Sequence, residues 1–187
     1  FESSLSENEE ESMLALLKCY YYKGKFVLTN VESKKSIFQK GKDLGESSIE
    51  KYPKSASLRY WYLANLGSWS EVYGILTAAK EGVSDIMKTQ AEEIISLDPY
   101  YWNGGGYFML GAVHFKSPYI PFILSWPDND DAVSYLTQAY ETGRSTFTQT
   151  VYLARALHKD KQKTKAIQIL TDLIQMPLSD DEPVEDF

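Results

Sequence analysis

Apolar residues recur at spacings of three and four along most of the chain, the period of a helix with one face in a core. Leu14, Leu17 and Tyr21 mark a first such face, and Ile37, Leu44 and Ile49 mark a second within Lys34 to Glu50. Together they predict a helical hairpin from about Asn8 to Tyr52, with Gly24 and Thr29-Asn30 as turn material and Pro53 as its stop. A third helix should start behind Ser55 or Ser57, whose hydroxyls can accept the first free backbone N–H groups. Tyr60, Leu63 and Ala64 give its inner face, and Met87, Ala91 and Ile94 give the returning face before Pro99. The stretch from Pro53 to Pro99 is longer than a plain hairpin needs, so extra helix is predicted between Trp69 and Gly82.

The second half repeats a fixed pattern. Tyr107, Leu110, Gly111 and His114 occupy aromatic-x₂-Leu-Gly-x₂-aromatic positions, with His114 in an aromatic place, and Ala132, Leu136 and Ala139 supply the returning helix. Leu153, Ala154 and Leu157, then Ala166, Leu170 and Leu173, repeat the pair, and Pro177 closes it. Between Phe115 and Asp131 lies an apolar insertion containing Pro118, Pro121 and Pro127, too rich in proline for a continuous helix. Such a ring-rich loop needs a concave face or a partner to lie against. The last helix carries Gln168, Thr171, Asp172 and Gln175 with Lys159, Lys161, Lys163 and Lys165 around its start, as a polar cap would, or else a further helix follows residue 187.

This spacing resembles the tetratricopeptide repeat, which implies an all-α, TPR-like α-solenoid of about four antiparallel hairpins, here with an aromatic, proline-containing insertion. Tyr60-Trp61-Tyr62-Leu63-Ala64-Asn65-Leu66-Gly67-Ser68-Trp69, Leu97-Asp98-Pro99, Gly105-Gly106-Tyr107-Phe108-Met109-Leu110-Gly111 and Asp130-Asp131-Ala132 narrow the match. In that order, over about residues 14–177, they resemble the TatT-like accessory tetratricopeptide proteins of bacterial TRAP transporters. The resemblance implies a periplasmic protein, often lipid-anchored, that assists uptake of small organic ligands beside the transporter's binding protein. An anchoring cysteine is missing at the start of this chain, and the insertion at 117–127 is longer and more apolar than the family pattern.

Composition adds bounds. At 187 residues and 43% apolar, the chain is long enough for a sizeable core. The net charge of -7 is concentrated at the ends. Glu2, Glu7, Glu9, Glu10 and Glu11, then Asp180, Asp181, Glu182, Glu185 and Asp186, lie in stretches free of Lys and Arg. Without these ten acids, 16 remain against 19 basic residues, a body near +3. Residues 1–11 and 178–187 are therefore expected as solvated, loose acidic ends around a helical domain at 12–177. Lys and Arg form no dense stripe for nucleic acid. Cys19 rules out an intrachain disulfide and reads as a buried packing residue. No apolar run is long enough to span a bilayer, and a start at Phe1 fits a processed product. The compartment expected is periplasmic, with cytoplasmic as the alternative.

The aromatics carry the candidate chemistry. Tyr60, Asn65, Trp69, Tyr107, Phe108, Tyr119 and Trp126 are the candidate ligand-binding residues, with Asn65 orienting a ligand carboxylate or, alternatively, bonding a neighbouring helix. Gly104-Gly105-Gly106 lacks the strand and Lys-Ser/Thr of a phosphate loop and reads as a flexible lead-in to a packed helix. Asp128, Asp130 and Asp131 lack the offsets of a calcium loop and read as helix caps. His114 and His158 have no ligand cluster nearby, and Cys19 has no evident base, so no metal, cofactor or catalytic residue is expected. The expected function is a non-catalytic binding component that presents an aromatic cleft to a small organic or hydrophobic ligand and docks a transport protein. The alternative is a scaffold that holds a peptide or partner helix in its groove.

Overall fold

The computed structural model describes residues 2–122, 124–142 and 145–176, with side chains from residue 8 onward. Among these residues are nine α-helices, and the single backbone bridge joins Ile120 to Leu124. Among the described residues no helix is long and apolar enough to cross a membrane. The helices fall into two compact units, Phe1–Asp98 and Pro99–Phe187. The expected tail at 178–187 lies outside the described residues.

Unit one contains α1 (Glu2–Tyr22), a π-helical turn (Lys23–Val27), α2 (Val31–Lys51), α3 (Ala56–Tyr73), α4 (Ile75–Lys80) and α5 (Val83–Leu97). Asn30 caps α2 by accepting the Ser33 N–H, and of the two serines before α3 it is Ser55 that caps, accepting the Leu58 N–H. The extra helix is α4, set between Gly74 and Gly82, whose φ angles of 91° and 65° break the chain on either side. Helix α3 packs against α1, α2 and α5, and α4 lies on α3 and α5. A helix enclosed on several sides must be apolar nearly all round. Accordingly Leu58, Trp61, Tyr62, Leu63, Leu66 and Trp69 of α3 are all buried.

Three expectations change in this unit. The acidic stretch at 1–11 is not separate, because α1 runs helically from Glu2. Glutamate is a good helix former and its charge suits a helix N-terminus, and Glu9 is held by Lys51 at 2.5 Å. Cys19 is exposed. It stands two residues beyond the fully buried Leu17, which rotates it off the packed face. Gly24 is not a turn residue but a contact, since a Cβ there would come within 2.5 Å of Phe38 Cζ on α2.

Unit two contains α6 (Tyr101–Lys116), α7 (Asn129–Tyr140), α8 (Phe147–Lys159) and α9 (Lys163–Leu173). Each helix packs on the next, with a smaller contact from α6 to α8. Asp128 caps α7 by accepting the Asp130 and Asp131 N–H groups at 2.8 and 3.2 Å, while Thr146 and Gln149 form a capping box on α8. Ala132, Leu136, Ala139, Leu153, Ala154, Leu157 and Ala166 are buried, as their spacing predicts, whereas Leu170 is exposed. The glycine triplet is buried rather than loose. Trp102, Asn103 and Gly104 take left-handed φ angles of 47°, 56° and 74°, and the Gln149 side chain donates to the Asn103 carbonyl at 3.1 Å. A Cβ on Gly104 would approach Thr142 Cγ2 within 2.7 Å, so glycine there lets the start of α6 lie against the end of α7.

The closest helix approach in unit one gives a test. A Cβ on Gly41 would overlap the Asn65 side chain, and one on Gly45 the Tyr62 ring. Gly41→Ala is expected to lose about 1–3 kcal/mol to overpacking, outweighing the ~1 kcal/mol gained in helix propensity. Urea unfolding measures the net effect, and a variant as stable as the parent would show that α2 and α3 are not this close.

Candidate functional site

The predicted site residues fall into both units, and each set is built from its own helices. On α3, Tyr60, Asn65 and Trp69 are all buried. Tyr60 meets the Trp61 ring edge-on at 5.5 Å. The Asn65 amide nitrogen donates to the Leu17 carbonyl of α1 at 3.0 Å and to the Trp61 carbonyl at 2.8 Å. Trp69 donates its indole N–H to Gln39 Oε1 of α2 at 2.7 Å and stacks on Tyr73 at 4.5 Å. Its other cover is the Lys42 ammonium, 5.3 Å from the ring centre. These contacts serve packing and leave no surface of Asn65 or Trp69 open within the unit.

Electrostatics reinforce the closure. Lys42 pairs with Glu81 at 3.0 Å and Glu46 at 3.4 Å. Burial alone would lower its pKa, but the hydrogen bond to Glu81 and the charges of Glu46 and Glu81 outweigh this and raise it, so the ammonium stays charged. The Tyr62 hydroxyl reaches Glu46 Oε1 at 3.4 Å, and burial first, then the Glu46 charge, pushes its pKa far above the ordinary phenol value. A permanently charged lysine and a protonated phenol provide neither a general base nor a nucleophile at neutral pH.

In unit two, Phe108 is buried edge-on against Tyr152 at 5.3 Å, and Phe115 joins them at 6.1 Å. Trp126 anchors the proline-containing insertion by meeting the His114 ring at 4.9 Å. His114 Nδ1 accepts the Asp128 backbone N–H at 3.3 Å and lies 3.8 Å from Asp131 Oδ2. His114 thus fills its aromatic place and also holds the end of the insertion. Tyr107 is half-buried, while Tyr119 is exposed beside the Ile120–Leu124 bridge. The Asp130 carboxyl pKa is raised by the Asp128 charge and then by Asp160, as expected of acids crowded together. No group of three or more His, Cys, Asp or Glu residues among the described residues is placed to hold a metal.

Sequence reasoning missed two features. Lys42, Gln39 and Tyr73 enclose Trp69 across α2 and α3, a juxtaposition with no local sequence mark. On α9 and its C-cap, Ile167, Leu170 and Ile174 are exposed in one stripe that borders the buried Ala166. Of the three, only Leu170 falls on the face that the repeat spacing assigns to the core. A shallow, open depression of about 380 Å³ lies elsewhere, lined by Lys23, Leu28, Glu32, Ser33, Ser36 and Ile37, none of them a predicted site residue. No family model matches the chain, and no curated protein matches it.

Two outcomes are expected here. Trp69→Ala should cost about 3–5 kcal/mol of stability, as for a large buried aromatic, and a denaturation loss below ~1 kcal/mol would show that Trp69 is not sealed. Tyr62 ionises near pH 10 in the unfolded chain but higher in the folded one, so above ~pH 10 the unfolded state binds fewer protons and stability falls as pH rises. Tyr62→Phe should flatten that alkaline slope in unfolding curves measured from pH 9 to 11.5, and an unchanged slope would assign it to other groups.

Proposed function

We propose that the chain is a non-catalytic helical-repeat interaction module that receives a helix of a partner protein on the outer face of α9. The observation that carries this reading is the exposed stripe of Ile167, Leu170 and Ile174. In a helical array every hairpin offers one apolar face to the next, and an apolar stripe left uncovered among the described residues is a place where another helix packs. Spacings of three and four suit a helix docked along its length. The order of packing, each helix on its successor with α1 also on α3 and α6 on α8, supports a tetratricopeptide-like arrangement within each unit. The resemblance to TRAP accessory proteins gives the partner class, a periplasmic substrate-binding protein, and with it the compartment. A small-ligand cleft built on Tyr60, Asn65 and Trp69 has less support, because those side chains are committed to packing.

Photo-crosslinking tests this. A benzophenone side chain at position 167 or 174 is expected to give one discrete polypeptide adduct in the native cell, absent from position 155 on the exposed side of α8 and abolished by Leu170→Asp. Absence of any such adduct, together with a small molecule retained in native mass spectrometry, would reverse the conclusion in favour of a ligand cleft.

A further inference from the structure

At one end of unit one, where α1 and α3 finish and α2 begins, the chain exposes large apolar side chains. Phe26 is 55% exposed, Val27 69%, Val31 55%, Ile75 54% and Leu76 73%. The ion pair Lys25–Glu71 at 2.8 Å joins the π-helical turn to the last turns of α3, and Lys35 lies 5.7 Å from the Tyr73 ring. These contacts place the two apolar groups at the same end. The turn is held in shape: Phe26 stacks on Tyr22 at 6.0 Å, and both Tyr21 and Tyr22 meet Trp61 at 5.6 Å. The exposed rings and branches therefore stand on a braced platform.

Charge distinguishes this end from the other. Lys23, Lys25, Lys34, Lys35 and Lys80 stand at this end with Glu32, Glu71, Glu81 and Asp85, and the three glutamates are paired, with Lys35, Lys25 and Lys42. Lys23 and Lys34 make no ion pair among the described residues, and Lys23 also borders the open depression. The opposite end, marked by the Lys51–Glu9 pair, carries Glu9, Glu10, Glu11 and Glu50 against Lys51 and Lys54. Unit one is thus polarised along its helices, with a basic, apolar end and an acidic end.

We infer that this end docks on an anionic lipid bilayer surface, with Phe26, Val27, Val31, Ile75 and Leu76 entering the interfacial region and Lys23 and Lys34 facing the headgroups. A protruding apolar tip with lysines at its rim is the combination that peripheral membrane binding requires. Five side chains on a helix end expose on the order of a few hundred Å², less than the ~800 Å² per partner of a stable protein interface. Lipid insertion needs no such area.

The test is flotation of the whole chain with phosphatidylcholine vesicles, with and without one quarter phosphatidylglycerol. Binding is expected on the anionic vesicles, weakening as salt is raised. Lys23→Glu and Lys34→Glu should each weaken it by at least about fivefold. Phe26→Ser with Leu76→Ser should abolish it, while Ile167→Ser with Ile174→Ser should leave it unchanged. Because Phe26 is part of an aromatic platform, a second readout uses a polarity-sensitive dye on Val27→Cys in a Cys19→Ser background, which should shift to the blue only with anionic vesicles. No binding by the parent chain, equal binding by the tip variants, or loss only in the α9 variant would each overturn the inference. So would a concentration-dependent dimer that Leu76→Ser dissolves, which would assign the tip to a second copy.

Discussion

The amide of Asn65 sits where α1, α2 and α3 meet, and unit one depends on that crossing. Its nitrogen spans the Leu17 carbonyl of α1 and the Trp61 carbonyl of its own helix, and its oxygen faces Gly41 of α2. That oxygen has no hydrogen-bond partner among the described residues, a desolvation cost of about 1–3 kcal/mol. The arrangement persists because the donors are satisfied and the glycine allows the dense contact around it. An apolar residue of similar size would lose the tie to α1. The same crossing fixes Trp61, whose ring holds Tyr21 and Tyr22, and these in turn support Phe26 at the tip. A buried amide thereby sets the geometry of an exposed surface several turns away.

Unit two uses a different device for the same purpose. Three consecutive left-handed residues at the start of α6 would be strained in isolation, two of them being Trp102 and Asn103. Gln149, in the first turn of α8, caps its own helix and binds the carbonyl of Asn103. Gly104 meanwhile removes the side chain that would keep α6 from α7. At the far end of α6, His114 receives the Asp128 backbone while Asp128 caps α7. Caps and kinks are shared between neighbouring helices, so the order of the helices and the shape of the connections are set together.

Much of the helical pattern could be read from the chain because its causes are local. Pro53, Ser55, Pro99 and Asp128 stop or cap helices through their own backbone or side-chain chemistry, and the alanine and leucine positions of α7 and α8 follow the period of a buried face. The site was less visible. Asn65 and Trp69 looked available because one helix viewed alone does not reveal that Leu17, Gln39 and Lys42 close over it. Cys19 was misplaced because an apolar neighbourhood in sequence is not the same as a face, and α1 turns it outward. Leu170 follows the repeat, yet its helix has no described neighbour on that side. Left-handed Trp102 and Asn103 gave no warning, since non-glycine residues adopt that region only when other elements hold them there.

Aromatic richness need not mean a ligand cleft, and the lysines show why. Lys18 lies over Trp61, Lys35 over Tyr73, Lys42 over Trp69, Lys51 over Tyr52, Lys116 over Tyr152 and Lys159 over Phe115, at 5.3 to 5.7 Å from the ring centres. Each contact contributes about 0.5–1 kcal/mol at an exposed site, and the aliphatic stem shields ring surface that would otherwise face water. A ligand seeking Trp69 would have to displace an ammonium already neutralised by Glu46 and Glu81. The rings left without such cover are the informative ones. Phe26 is among the most exposed aromatic side chains of unit one and Tyr119 among those of unit two, and each belongs to a connection rather than to a helix core. Among the described residues the aromatic side chains of the helix cores are therefore closed over, and apolar surface reaches solvent at the connections and along α9.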